Sequence, residues 1–124
     1  MVRGTTAQFK FKLPCEANEL ISAKITFWQP GNDNFGDPIT RHLGQCGKHG
    51  TELSVSLLPS ETLRFSDKMK AKVQLKAQYG ETIFASRQQT ITVYPISDAI
   101  DDGDDPLPFQ DGWVIFDGKE IIGQ

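Results

Sequence analysis

Four side chains in this 124-residue sequence have the chemistry to hold a soft metal ion: Cys15, His42, Cys46 and His49, its only cysteines and histidines. Zinc takes thiolate and imidazole ligands in that number. The spacing, His-x3-Cys-x2-His with a distant cysteine, matches no common zinc module, and a site would need all four to converge. No metal and no cofactor are expected. A Cys15–Cys46 disulfide lacks an export signal to support it, so two free thiols are the default. The carboxylates Asp98, Asp101, Asp102, Asp104 and Asp105 suit calcium by type. They lack the alternate-position ligands and closing Glu of the EF-hand loop, and read as a solvated linker. The sequence holds no Gly-x-Ser-x-Gly elbow, no P-loop and no His-Glu-x-x-His helix, and Ser60 and Ser86 have no assigned base. Polar residues without partner geometry are not a mechanism, so the sequence predicts a non-enzymatic protein.

Charge is the next informative feature. Thirteen basic and sixteen acidic residues leave a net −3. Residues 1–97 hold twelve basic and eight acidic side chains, whereas residues 98–124 hold one basic (Lys119) and eight acidic. A carboxylate run ending in Pro-Leu-Pro cannot bury itself. Three segments are therefore expected: a domain over 1–97, an acidic linker over 98–108 and a tail over 109–124. No apolar run approaches the ~18 residues of a membrane span, and no apolar stretch follows Arg3. No membrane partner and no secretory signal peptide are expected.

The elements that must position any site follow from a period of two, which sends alternate side chains to opposite faces of a strand. Phe9, Phe11 and Leu13 alternate with Lys10 and Lys12; Ile21, Ala23, Ile25 and Phe27 with Ser22, Lys24 and Thr26. Leu53, Val55 and Leu57 alternate with serines, and a long run carries Met69, Ala71, Val73, Leu75, Ala77 and Tyr79. Gly80-Glu81 supplies a two-residue reversal with glycine first, as a type II′ turn requires. The returning strand places Ile83, Ala85, Ile91 and Val93 on one face, and its centre, Ser86-Arg87-Gln88-Gln89, suggests a bulge or a switch between sheets. A weaker strand lies near 39–43, and 59–63 can hold one helical turn with Pro59 at its start. No window keeps helical spacing for three turns.

Six or so short strands with turn-rich separators predict an all-β fold, an immunoglobulin-like antiparallel β-sandwich, with a small β-barrel as the alternative architecture. The expected core is Phe9, Phe11, Leu13, Ile21, Ile25, Phe27, Leu53, Val55, Leu57, Val73, Leu75, Ile83, Ile91 and Val93. In the tail, Asp117-Gly118 between apolar runs predicts a C-terminal β-hairpin. An isolated hairpin is marginal in water and needs a surface. Trp113, Val114, Ile115, Phe116 and Ile121 are the expected interface residues, with Trp113 and Phe116 as anchors, since aromatics dominate interface energetics. Lys10, Lys12, Lys24, Lys70, Lys72 and Lys76 share the wet phase of their strands and could form a basic stripe. With little stacking aromatic material beside them and an acidic tail, no nucleic acid is expected; exposed strand lysines also guard against edge pairing.

Several pieces recur in a fixed order: Arg3-Gly4-Thr5-Thr6 followed by alternating phenylalanines, then Ile25-Thr26-Phe27-Trp28-Gln29, then Leu57 through Glu61-Thr62-Leu63-x-Phe65. Val73-Gln74-Leu75-Lys76, the Gly80 turn, Ala85-Ser86 and Ile91-Thr92-Val93 complete the set. Over roughly residues 3–100 this order resembles small β-sandwich proteins encoded in phages and prophages of low-GC Gram-positive bacteria, whose genes sit among those for virion structure. Leu58-Pro59 stands where similar proteins have a Thr-Gln pair, and the segment after Asp105 lies outside the shared pattern. The resemblance implies a virion structural or assembly module acting through protein–protein contacts, with other virion subunits or itself as partner. Its expected location is the virion, or the host bacterial cytoplasm during assembly. It brings no catalytic residues. A cell-surface glycan-binding module is the alternative, with Trp28, Asn32, Asn34 and Phe35 forming a possible ligand loop.

Overall fold

The computed structural model describes residues 1–95, together with the backbone of residues 113–116 and 121–122. Among the described residues ten strands run in chain order: β1 (Ala7–Lys12), β2 (Leu20–Trp28), β3 (Ile39–His42), β4 (Gly47–His49), β5 (Glu52–Leu57), β6 (Ala71–Tyr79), β7 (Thr82–Ser86), β8 (Gln89–Ile91), β9 (Trp113–Phe116) and β10 (Ile121–Ile122). One helical turn, α1 (Pro59–Thr62), joins β5 to the segment before β6. Its start is fixed by Pro59 in the first turn and by Glu61, whose carboxylate accepts the Leu58 N–H at 2.8 Å.

The strands form two sheets. The smaller has the order β4-β5-β1-β9, and the larger β10-β7-β6-β2-β3, with β8 also on β6. Every pair among the named strands is antiparallel except β1–β9. The sheets pack face to face in a sandwich-like all-β arrangement, and the pairings of the described residues close no barrel. Phe9 of β1 meets Phe27 of β2 across the interior with ring centroids 4.9 Å apart. Around them lie Phe11, Leu53, Val55 and Leu57 from one sheet and Ile25, Ala71, Val73, Leu75 and Ala77 from the other. Each large apolar side chain buried there contributes about 1.5–3 kcal/mol.

Two expected core residues are on the surface. Ile21 is 61% exposed, because Leu20 pairs with Tyr79 and Ser22 with Gln78, leaving Ile21 as the extra residue of a bulge. The bulge shifts the phase before it, so Leu20 faces the core in place of Ile21, while Ala23 keeps the inward phase of Ile25 and Phe27. Ile83 is 44% exposed, because Phe84 lies opposite Ala77 and shares its inward face.

The interruption at residues 86–89 is a bulge rather than a change of sheet. Val73 pairs with Gln89 and Lys76 with Ala85, three steps along β6 against four along its partner. Ser86 is buried there, where its hydroxyl accepts the Leu75 N–H at 2.9 Å and its carbonyl accepts the Gln74 side-chain amide at 3.0 Å. At the Gly80 turn, Tyr79 pairs with Thr82 and Gly80 has φ +59° while Glu81 does not have a positive φ, as a type II′ reversal requires.

The C-terminal hairpin is not formed. β9 pairs with β1 of one sheet and β10 with β7 of the other, so the two runs flank the sandwich instead of facing each other. The physical reason is competition: a free two-stranded ribbon is marginal, and each body sheet offers an edge strand with unused backbone groups. The basic stripe is divided for a related reason, since alternation fixes the face of a strand but not its sheet. Lys10 and Lys12 lie on the smaller sheet, Lys24, Lys72 and Lys76 on the larger, and Lys70 just precedes β6.

Candidate functional site

Three places gather the side chains singled out by sequence. The first is the edge of the smaller sheet. Residues 113–116 run parallel to β1 in the register Gln8↔Trp113, Phe9↔Val114, Lys10↔Ile115 and Phe11↔Phe116. Positions 114 and 116 are thus in step with the buried Phe9 and Phe11, and positions 113 and 115 with Gln8 and Lys10. On the larger sheet, Ile121 pairs with Ser86 and Ile122 with Ala85. Residues 113–116 thus lie on one sheet and residues 121–122 on the other, as β4 and β3 do at the opposite edges. Without β9, β1 would present a row of unpaired N–H and C=O groups, a template for another strand.

The second place is the loop after β2, which is tied down from within. Gln29 is 4% exposed, and its side-chain amide donates to the carbonyls of Ser66 and Met69, each at 2.8 Å. Its oxygen accepts the Ser66 N–H at 2.7 Å and the Asn32 amide at 2.6 Å. Asn32 also donates to the Arg64 carbonyl at 3.2 Å and accepts the Asn34 N–H at 3.1 Å. Arg64 stacks its guanidinium 4.6 Å from the Phe35 ring centre, donates to the Phe35 carbonyl at 2.9 Å and reaches the Asp37 carbonyl. Phe35 is buried with its ring 4.7 Å from that of Phe65. Of the four residues of the possible ligand loop, Phe35 and Asn32 thus serve internal contacts, Asn34 is exposed, and Trp28 is half-buried against the core and opposite Lys72. Gln29 and Arg64, which organise the loop, carry little local sequence signal: apart from the Gln29–Asn32 bond, their partners lie 27 to 40 positions away.

Beside this loop, Arg41 and Glu61 form an ion pair with both side chains largely buried, joining β3 to α1. Burial pushes the Glu61 carboxyl up, but the Arg41 hydrogen bond, the Leu58 N–H and the charges of Arg41 and Arg64 outweigh it, so the group lies below its ordinary range. Thr62, fully buried, accepts the Gly4 N–H at 3.0 Å and donates to the Thr5 carbonyl at 2.8 Å, fastening the start of the chain to α1.

The third place is the outer face of the larger sheet. Lys24 lies directly opposite Lys76 on one side and His42 on the other. The three border an open depression of about 190 Å³ with Ser22, Gln78 and Ile83. Like charges directly opposite on adjacent strands are mutually destabilising. The thiols are elsewhere. Cys15 and Cys46 are free and half-buried against the core, and among the described residues no three His, Cys, Asp or Glu side chains gather as a ligand set. Burial pushes the Cys46 thiol up more than Arg41 and Lys48 pull it down. Cys15 is pushed up by burial and then by Glu19 and Glu16. In both cases the surroundings favour the thiol over the thiolate.

No protein-family model, curated protein or solved structure matches this chain.

Proposed function

We propose that the chain is a non-enzymatic structural or assembly module of a phage or prophage particle, working through protein–protein contacts made along its sheet edges. The observation that carries this reading is the completion of β1 by residues 113–116, drawn from the far end of the chain. A sheet that accepts a late, acidic-linked segment as its edge strand is built to accept strands. The ordered resemblance of residues 3–100 to phage-encoded β-sandwich proteins supplies the setting: other virion subunits or further copies as partners, in the particle or in the host cytoplasm during assembly.

The finer fold assignment is immunoglobulin-like. What supports it is the strand order: taking β1, β2, β3, β4, β5, β6 and β7 as strands B, C, C′, D, E, F and G gives one sheet ordered D-E-B and another G-F-C-C′. β9 then takes the place of strand A beside B, but it runs parallel to its neighbour.

A glycan-binding module is the second reading, resting on the half-exposed Trp28 paired opposite Lys72. The assembly reading is favoured over it because Phe35 is buried and the Asn32 amide is already used inside the loop. The test is mass spectrometry of particles banded on a density gradient from an induced lysogen carrying this sequence. Recovery of the chain in fixed proportion to the main capsid subunit is expected. Its confinement to the soluble fraction, with saturable glycan binding lost in Trp28→Ala, would replace the first reading by the second.

A further inference from the structure

We propose that the strap formed by β9 and β10 is exchangeable, seating on β1 and β7 of a second copy of this chain as well as on its own. This deepens the assembly reading and rests on it: the partner named for the sheet edge is the chain itself.

The argument starts from the length of the connection. Tyr94 is fixed by a parallel bridge to Val2, with its N–H donating to the Met1 carbonyl at 2.8 Å and its carbonyl accepting the Arg3 N–H at 3.0 Å. Among the described residues the next paired position is Trp113, opposite Gln8. Val2 and Gln8 are six residues apart, so allowing one strand spacing at each end, the gap to be crossed is at most about 30 Å. The intervening residues 95–112 number 18 and can span about 60 Å. The connection therefore has at least twice the reach that closing on its own body requires. Five of its residues between 98 and 105 are aspartates, and like charges so close in sequence repel one another.

The seats themselves lie only at edges. β9 touches the outer side of β1 and β10 the outer side of β7, so lifting the strap leaves the pairs β1–β5 and β6–β7 intact. Seating in a second copy recreates the same register on the same strands. The free-energy difference between the two states then lies in the connection alone, which is the condition under which swapping has low cost. A connection of 18 residues holds the strap near its own seat at an effective concentration in the millimolar range. Dilute chains keep the strap to themselves, and chains held side by side at particle density exchange it.

The test uses full-length chains with Cys15→Ala and Cys46→Ala. One chain carries Lys10→Cys and a second carries Ile115→Cys, positions opposite each other in the β1–β9 register. Adjacent-strand spacing suits a disulfide. Mixed and oxidised, these two can join only between copies. A third chain carrying both substitutions reports closure on itself, and Lys10→Cys mixed with Glu81→Cys reports random collision. The expected result is intrachain linkage in the third chain, with mixed-chain disulfide rising from a few per cent near 10 µM to about half near 1 mM, well above the collision control. Sedimentation velocity of the unsubstituted chain over the same range, needing no substitution, should show the weight-average mass climbing toward that of a dimer. Intrachain linkage with mixed-chain product no higher than the control, and a monomer at 1 mM, overturns exchange while leaving particle association standing. Exchange found together with absence of the chain from particles overturns the assembly reading and leaves this one. Failure of the double variant to link at all overturns exchange as well.

Discussion

Replacing Gln29 by leucine tests the packing of the loop after β2. The substitution keeps roughly the same volume and removes both amide donors and the acceptor. The carbonyls of Ser66 and Met69 and the N–H of Ser66 then lose partners now held at 2.8, 2.8 and 2.7 Å, and Asn32 loses one of its acceptors. An unsatisfied buried polar group costs about 1–3 kcal/mol. With three backbone groups affected, and water reaching part of the vacated network, the expected loss is about 3–4 kcal/mol, a large fraction of the ~5–15 kcal/mol available to a domain. Equilibrium urea unfolding followed by far-UV circular dichroism reads this as a fall in midpoint with an unchanged slope. Gln29→Glu should be no better, because a carboxylate oxygen then faces two carbonyls. Asn34→Ala, at an exposed position, should change stability by less than about 0.5 kcal/mol. A loss under about 1 kcal/mol for Gln29→Leu would refute the claim that this amide organises the loop.

Lys76→Glu replaces a like-charge neighbour of Lys24 with an opposite one, so stability should rise by about 0.5 kcal/mol at low salt, and the gain should shrink in 1 M NaCl. Because the Glu61 carboxyl is held low in the folded state, its contribution is complete above the ordinary carboxyl range and is lost as pH falls through its depressed value. Acid unfolding of Glu61→Gln should therefore be less steep than that of the parent, read by fluorescence between pH 5 and 2. Phe84→Ala should cost about 3–5 kcal/mol and Ile83→Ala under about 1 kcal/mol, the reverse of what the apolar pattern of the strand implies. Ser86→Ala should cost about 1–2 kcal/mol, since the Leu75 N–H is left buried without its acceptor.

The sequence displays the regular part of this fold openly. β6 is legible because only one of its phases is apolar, and the Gly80 reversal because positive φ at the first turn position favours glycine. β7 is ambiguous because Ile83, Phe84 and Ala85 put apolar side chains in both phases, and the choice is made by Ala77 on the neighbouring strand. The bulge at Ile21 is hidden for a similar reason: unbroken alternation through 21–27 reads cleanly until Tyr79 and Gln78 fix the pairing. The tail misleads more deeply. Asp117-Gly118 is a good hairpin turn in isolation, but a local signal cannot weigh a local partner against two open edges elsewhere in the molecule. The Gln29–Arg64 network has the same character, being made of contacts between segments distant in sequence. What local chemistry determines was readable; what is settled by competition among distant partners was not.

The account turns on β1 being an edge that a strand from residues 113–116 completes. Residue-resolved amide hydrogen exchange over Ala7–Lys12, in the full chain and in one ending at residue 112, tests this directly. Successive strand amides point to opposite neighbours, so the account predicts protection at every position from Gln8 to Phe11, the stretch that β9 covers, in the full chain. After truncation, alternate positions should lose protection while those bonded to β5 keep it. Alternate β1 amides that exchange freely in the full chain, or a protection pattern unmoved by truncation, would contradict it.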